Sequence, residues 1–210
     1  MQNKAKFGTG LKGKLNNLMI QLCKNCKHPD LLESQFNQSF DYPPVEQLVQ
    51  QCGKFGLLDR LLMHLKAKKH KMLIFSQWAK VLDLLEYYLS ERGHEVCCID
   101  GGVKLEERKN QIKDFNDPDR KFCIFLLRTR AGELGINLTA ANTCIIYDSD
   151  WNPQMDMQAM DRCHRIGQTK PVYVYRLITA HSVEGRMLKI SFGKLKLKKI
   201  FSDSWTILIW

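Results

Sequence analysis

No apolar run in this 210-residue sequence reaches the roughly 18 to 20 residues that a membrane-spanning helix needs, and the polar N-terminus lacks the apolar centre of a secretory signal. A soluble, intracellular protein is therefore expected. The sequence also lacks a second cysteine pair at ligand spacing. Cys23 and Cys26 form a CxxC with His28 two residues on, but nothing follows to complete a tetrahedral zinc site, so no metal is expected. The phosphate-cradling pattern GxxxxGK[ST] is missing too: the Gly-Lys pairs at 13–14, 53–54 and 193–194 are followed by Leu, Phe and Leu. Alone, the chain is not expected to turn over a nucleoside triphosphate at a motor's rate. Internal repeats, low-complexity tracts and base-reading motifs are absent as well, which argues against sequence-specific DNA binding.

What is present is enough apolar material, 44% of residues, for one good core, which fits one domain plus appendages. Thirty-two Lys and Arg against twenty-two Asp and Glu give a net charge of +10, a surplus that favours polyanionic partners. The eight cysteines sit mostly inside apolar runs and read as reduced, small hydrophobes rather than a disulfide framework.

From Gly53 the hydrophobic period alternates between helix and strand. A helix carries Phe55, Leu58, Leu62 and Leu65, and a strand follows from Met72 to Phe75. A second helix carries Val81, Leu85, Tyr88 and Leu89, a strand runs from Glu95 to Ile99, and a third helix carries Leu105, Ile112 and Phe115. Further strands are expected over Phe122–Leu127, Thr143–Asp148 and Val172–Ile178. A helix from Pro153 to about His164, capped by Asn152, separates the last two. Strands regularly separated by helices imply an α/β fold with an open, mainly parallel sheet and helices on both faces. Ligands of such sheets gather beyond the carboxyl ends of the strands. Residues 1–52 read as a linker and docking segment with a short helix near Leu15–Leu22, residues 53–190 as the α/β lobe, and residues 191–210 as a basic, then apolar tail.

The stretch Gln158 to Gln168, QAMDRCHRIGQ, carries the sharpest chemistry. Arg162 and Arg165 share one face if the helix persists, and paired guanidinium groups suit the spreading charge of a transferring phosphoryl group. A solvated, salt-bridged face is the plainer reading of the same pair. His164 lies between Cys163 and Arg165 and is assigned to packing. Leu84, Leu85, Tyr87 and Tyr88 are assigned to core and helix face.

Together with FSQW at 75–78, DGG at 100–102, TRAGELGINLTAA at 129–141 and YDSDWNPQ at 147–154, this stretch resembles the C-terminal helicase lobe of SWI/SNF-type chromatin-remodelling ATPases, over roughly residues 53–190. The preceding CKHPDLL resembles that family's CNHP segment. Through IIYDSDWNPQ and DRCHRIGQTKPV the sequence is most similar to the branch of the lymphoid-specific helicase and its plant counterpart required for DNA methylation.

The resemblance implies a RecA-like second lobe in which Arg162 and Arg165 are arginine fingers. Gln158, Gly132, Gly135 and Asn137 face ATP, while Ser76, Gln77, Thr129, Arg130, Trp151 and Asn152 contact the DNA backbone. It further implies ATP and Mg held mainly by a first lobe supplied in cis or in trans, double-stranded DNA and nucleosomes as partners, and a nuclear location. Departures are Glu133 where the family has glycine, Arg128 for serine, Lys27 for asparagine, Gly102 for serine and Asn142 for aspartate. A glutamate at 133 adds charge and a Cβ close to where phosphates are expected, and Arg128 can offset it by pairing with Glu133 or with phosphate. After about Ile190 the resemblance fades into SDSWTILIW, as expected of a truncated or mis-spliced product. Two other readings stay open: a non-catalytic DNA- or chromatin-binding module, and a zinc-stapled adaptor.

Overall fold

A computed structural model describes residues 17–33, 42–99, 105–117, 124–130, 136–165, 167–196 and 207–209. A helix over residues 17–27 (α1) and a single turn, Asp30–Glu33 (α2), precede α3 (Val45–Gln51) and α4 (Gly53–Ala67). The lobe continues with β1 (Met72–Ser76), α5 (Ala79–Glu91), β2 (Val96–Ile99), α6 (Leu105–Asn116), β3 (Ile124–Arg128) and β4 (Thr143–Ile146). It finishes with α7 (Pro153–Met160), β5 (Tyr173–Arg176), α8 (Val183–Lys196) and β6 (Ile207–Ile209).

The strands form one parallel sheet in the order β2-β3-β1-β4-β5-β6. β1 is central: Met72 stands opposite both Ile124 of β3 and Thr143 of β4, and all five of its residues are buried. A strand covered on both faces must be apolar throughout, which explains its unbroken MLIF run. Its side chains divide by parity. Met72 and Ile74 join the core beneath α4 and α5, with Phe55, Leu58, Leu62, Val81, Leu85 and Tyr88. Leu73 and Phe75 join the opposite core with Phe115, Ala159, Met160 and Cys163. The α/β sheet with helices on both faces is thus as the alternating periods predict.

Three local results differ from the sequence reading. The first helix runs on to residue 27, and the segment after it is packed rather than merely tethered. Leu31, Val45, Leu48 and Cys52 lie in the same core as Phe55, the Tyr147 hydroxyl donates to the Lys27 carbonyl at 2.7 Å, and Thr179 Oγ1 donates to the Cys26 carbonyl at 3.0 Å. Second, α7 stops at Met160, four residues before His164. Beyond it the Arg162 amide reaches Ala159 O at 3.2 Å and the Cys163 amide Met160 O at 3.0 Å, the three-residue spacing that tightens a helix end. Cys163 is drawn into the core while His164 is exposed, so His164 does not pack as expected. Third, part of the apolar tail forms β6, which extends the sheet beside β5 with Ile207 opposite Val174.

Two histidines confer a pH dependence on the fold. Burial holds His94 below its ordinary 6.5, aided by Lys66 and Arg92 and opposed by Asp59. Burial, then Lys68, His64 and Lys170, lower His70, whose Nδ1 lies 2.7 Å from Thr143 Oγ1. A base harder to protonate when folded contributes stability that is complete above the unfolded value and is lost as pH falls from about 6.5 toward the depressed folded value. Melting temperature is therefore expected to fall on acidification from about pH 7 to 5, with a shallower slope in His94→Gln. Parallel slopes for the two proteins would show that His94 does not contribute.

Candidate functional site

The neighbouring strands β3, β1 and β4 bring three loops side by side at their carboxyl ends, and Gln77 links them. Its amide donates to Asp148 Oδ1 at 3.1 Å, its side-chain Nε2 donates to the Ser149 carbonyl, and its carbonyl accepts Arg128 Nε at 3.2 Å. Arg128 is exposed here, so its partner among the described residues is the Gln77 backbone. Ser76 and Thr129 are buried at the strand ends. The Ser76 hydroxyl accepts the Trp78 amide at 3.3 Å, and Thr129 Oγ1 has no hydrogen-bond partner among the described residues. Around them Gln77 is half-buried, while Arg130, Trp151 and Asn152 are exposed. Asn152 caps α7, its side chain accepting the Gln154 amide at 3.2 Å, with Pro153 at the first helical position. This edge therefore presents cationic, amide and aromatic groups outward on a floor fixed by backbone hydrogen bonds.

Beneath the edge lies an acidic layer that motif reading does not pick out. Asp148, Asp150 and Asp156 are all buried. Burial raises the Asp148 carboxyl, with Lys27 the chief opposing charge at 3.6 Å. Lys27 is itself buried, donates to the Cys23 carbonyl at 3.1 Å and lies 5.1 Å from the Trp78 ring centroid. Burial likewise raises Asp156, opposed first by Arg176, which bonds its Oδ2 and also donates to Ser149 Oγ at 2.8 Å. The only sequence signal for this layer was the cluster of Asp148, Asp150 and Asp156 directly after an apolar strand.

The arginines occupy the other end of α7. Eight residues of helix span about 12 Å, and Cys163, next to Arg162, contacts the carbonyl of Thr143 at the start of β4 (3.9 Å). Arg162 and Arg165 thus lie in the turns after α7, toward the amino end of the sheet, and not on a continued helix face. Arg162 is half-buried, its Nε lacks a hydrogen-bond partner among the described residues, and burial and then the charge of Arg165 make it harder to keep protonated. Two close guanidinium groups, one of them partly desolvated, suit an incoming polyanion.

Arg165 donates to Ile136 O at 3.3 Å, beside the exposed Asn137, whose carbonyl accepts Asn116 Nδ2 at 2.9 Å. Gln158 is exposed on α7. Gly132, Gly135 and Glu133 lie outside the described residues, as does Gly102. Gln168, which sequence reasoning passed over, pins the turn: its Nε2 donates to Thr139, Ala141 and Cys163 carbonyls at 3.0, 2.8 and 3.1 Å.

His28 has a structural use. Its Nε2 donates to Leu48 O at 2.9 Å while Nδ1 accepts the Asp30 amide at 3.1 Å, and its ring meets Phe55 edge-on. With both ring nitrogens occupied it does not complete a site with Cys23 and Cys26. Among the described residues no group of three His, Cys, Asp or Glu is placed to hold a metal ion, and no helix is long and apolar enough to cross a membrane.

The helicase conserved C-terminal domain family matches residues 53–167. The chain is 68% identical over 193 residues to the ATP-dependent DNA helicase DDM1 of Arabidopsis thaliana, covering 92% of this chain and 25% of that protein. It is 49% identical over 188 residues to the human lymphoid-specific helicase, covering 89% and 22%. The crystal structure of the C-terminal part of the Fun30 ATPase domain superposes with a TM-score of 0.65 at 37% identity, over 83% of this chain and 53% of that one. The chain thus spans about a quarter of the length of these full-length relatives. By sequence and by fold, it belongs to the helicase conserved C-terminal domain family and corresponds to the C-terminal lobe of SWI/SNF-type chromatin-remodelling ATPases.

Proposed function

We propose that this lobe completes an ATP-dependent DNA translocase that acts on nucleosomes, with Arg162 and Arg165 as arginine fingers and the carboxyl-edge loops as the DNA-backbone surface. The supporting observation is the placement of two chemically distinct groups at opposite ends of α7: paired arginines at one end, and Arg130, Trp151 and Asn152 around Gln77 at the other. A nucleotide's phosphates, with magnesium, are held mainly by a first lobe. Arg162 and Arg165 approach from this lobe and stabilise charge on the transferring oxygens. Gln158 and Asn137 line the same approach, and Gly132 and Gly135 are assigned to the same nucleotide-facing role. At the far edge, contacts to phosphate and sugar hold any sequence equally, as a stepping motor requires. Nuclear localisation and a part in maintaining DNA methylation follow from the same reading.

As an isolated polypeptide the chain binds DNA without turnover, because it carries no GxxxxGK[ST] loop. The test is ATP hydrolysis with and without double-stranded DNA, measured on the chain alone and mixed with a purified first lobe from a related remodeller. DNA-stimulated hydrolysis in the mixture only is the expected result. No hydrolysis in the mixture, with DNA binding intact, would leave the binding-module reading in its place.

A further inference from the structure

The Arg130–Asp150 ion pair is unequal. Nε and Oδ2 are 3.5 Å apart, yet the arginine side chain is 68% exposed and the aspartate 2%. Among the described residues Asp150 Oδ2 has no hydrogen-bond partner, and Arg130 is the cation that faces it. The rest of Asp150 is anchored inward. Its Oδ1 accepts the Asn152 amide at 2.9 Å, and its own amide donates to Asp156 Oδ1 at 3.0 Å. Asp156 belongs to the first turn of α7 and is clamped by Arg176. Arg130, Asp150 and Asp156 therefore form a continuous line from the exposed edge to the helix whose other end leads into Arg162 and Arg165.

We propose that Asp150 is an internal stand-in for a DNA phosphate: it holds Arg130 when DNA is absent and loses it when a phosphate arrives, and the exchange is passed through Asp156 to α7 and the arginine turn. This rests on the DNA-binding reading above. The physical drive is that a buried carboxylate stripped of its cation is costly. The positive end of α7, which begins at Pro153, three residues on, offers compensation. Release of Arg130 thus draws the loop and the helix end together. Asp150 and Asp156 are positioning residues in this scheme, and neither touches the nucleotide.

The test uses the full chain with a labelled double-stranded oligonucleotide, followed by fluorescence anisotropy over a salt series, in a cycle of Asp150→Asn, Arg130→Ala and the double variant. Asparagine keeps the oxygen that accepts the Asn152 amide while removing the competing charge. Asp150→Asn is expected to bind DNA about two- to fivefold tighter, the range set by one partly exposed ion pair. Arg130→Ala weakens binding and lowers the salt slope by about one phosphate contact. In the Arg130→Ala background Asp150→Asn has no effect.

With a first lobe added, Asp150→Asn lowers the DNA-stimulated rate despite binding more tightly, a split that simple loss of structure would not give. Should Asp150→Asn fail to fold, Asp150→Glu carries the test with the opposite sign, since a carboxylate pushed toward Arg130 competes harder and weakens DNA binding. Unchanged affinity in the aspartate variants, or equal effects with and without Arg130, overturns the exchange and leaves the DNA-binding reading standing. Absence of DNA binding by the unaltered chain overturns both.

Discussion

Arg162→Ala is expected to lower DNA-stimulated ATP hydrolysis by about 10³-fold or more when the chain is combined with a first lobe, while DNA affinity changes little. The size follows from where the guanidinium sits. It is half-buried, has an Nε unpartnered among the described residues, and shares its surroundings with Arg165, whose charge it must tolerate until an anion arrives. A partly desolvated cation acts on a developing phosphoryl charge more strongly than a solvated one, and its loss is not made good by water. Arg162→Lys recovers only a small part, because an ammonium cannot reproduce the planar fork. Single-turnover kinetics with the two lobes at saturating ATP would check this. A reduction below about tenfold would reassign Arg162 to the solvated, salt-bridged role that its RxxR spacing also allows.

The second large effect concerns stability. Glu184→Ala is expected to destabilise the lobe by about 3–5 kcal/mol. Glu184 and Lys54 meet at 2.6 Å with side chains 10% and 3% exposed, joining α8 to the start of α4 across 130 residues of sequence. Lys54 also donates to the Tyr147 carbonyl at 3.3 Å, and Glu184 accepts the Thr179 amide at 3.1 Å. Removing the carboxylate strands an ammonium in the core. Removing both charges, as in Glu184→Leu with Lys54→Met, leaves no buried charge unpaired and restores part of the loss, the Thr179 amide and the Tyr147 carbonyl still losing their partners. Urea melts of the single and double variants read this directly. A single-variant loss under about 1 kcal/mol would mean that water reaches Lys54 in the folded state.

The two cases differ in how visible they are to a reader of the sequence. The sheet is legible because an α/β chain must change hydrophobic period at every crossover, and Met72–Phe75 can be apolar without a break only if covered on both sides. The arginine motif is legible because its residue types match one chemistry. Its geometry is not, since nothing in Asp161–His164 forbids a helix. What ends α7 is tertiary: Cys163 enters the core, and Gln168 ties its carbonyl to Thr139 and Ala141. Lys27 and Lys54 defeat the sequence for a related reason. Lysine is rarely buried, and these two are buried only because Asp148 and Glu184, more than 120 residues away, come to meet them. Of the candidate DNA residues, Arg130, Trp151 and Asn152 stand exposed, but the inward turn of Ser76 and Thr129 depends on how far each strand runs, which an apolar pattern fixes only to within a residue or two.

The pairing of β6 with β5 bears on how this lobe behaves in company. β5 shares one side with β4, and its other side, from Val174 to Arg176, is closed among the described residues by Ile207–Ile209. Three residues of ladder are a light seal on a row of backbone donors and acceptors. Any event that peels the seal away, whether proteolysis in the tail or a competing extended segment, turns a closed flank into a template on which a second polypeptide can add a strand. A stretch that takes no part in the lobe's chemistry thus closes one flank of its sheet.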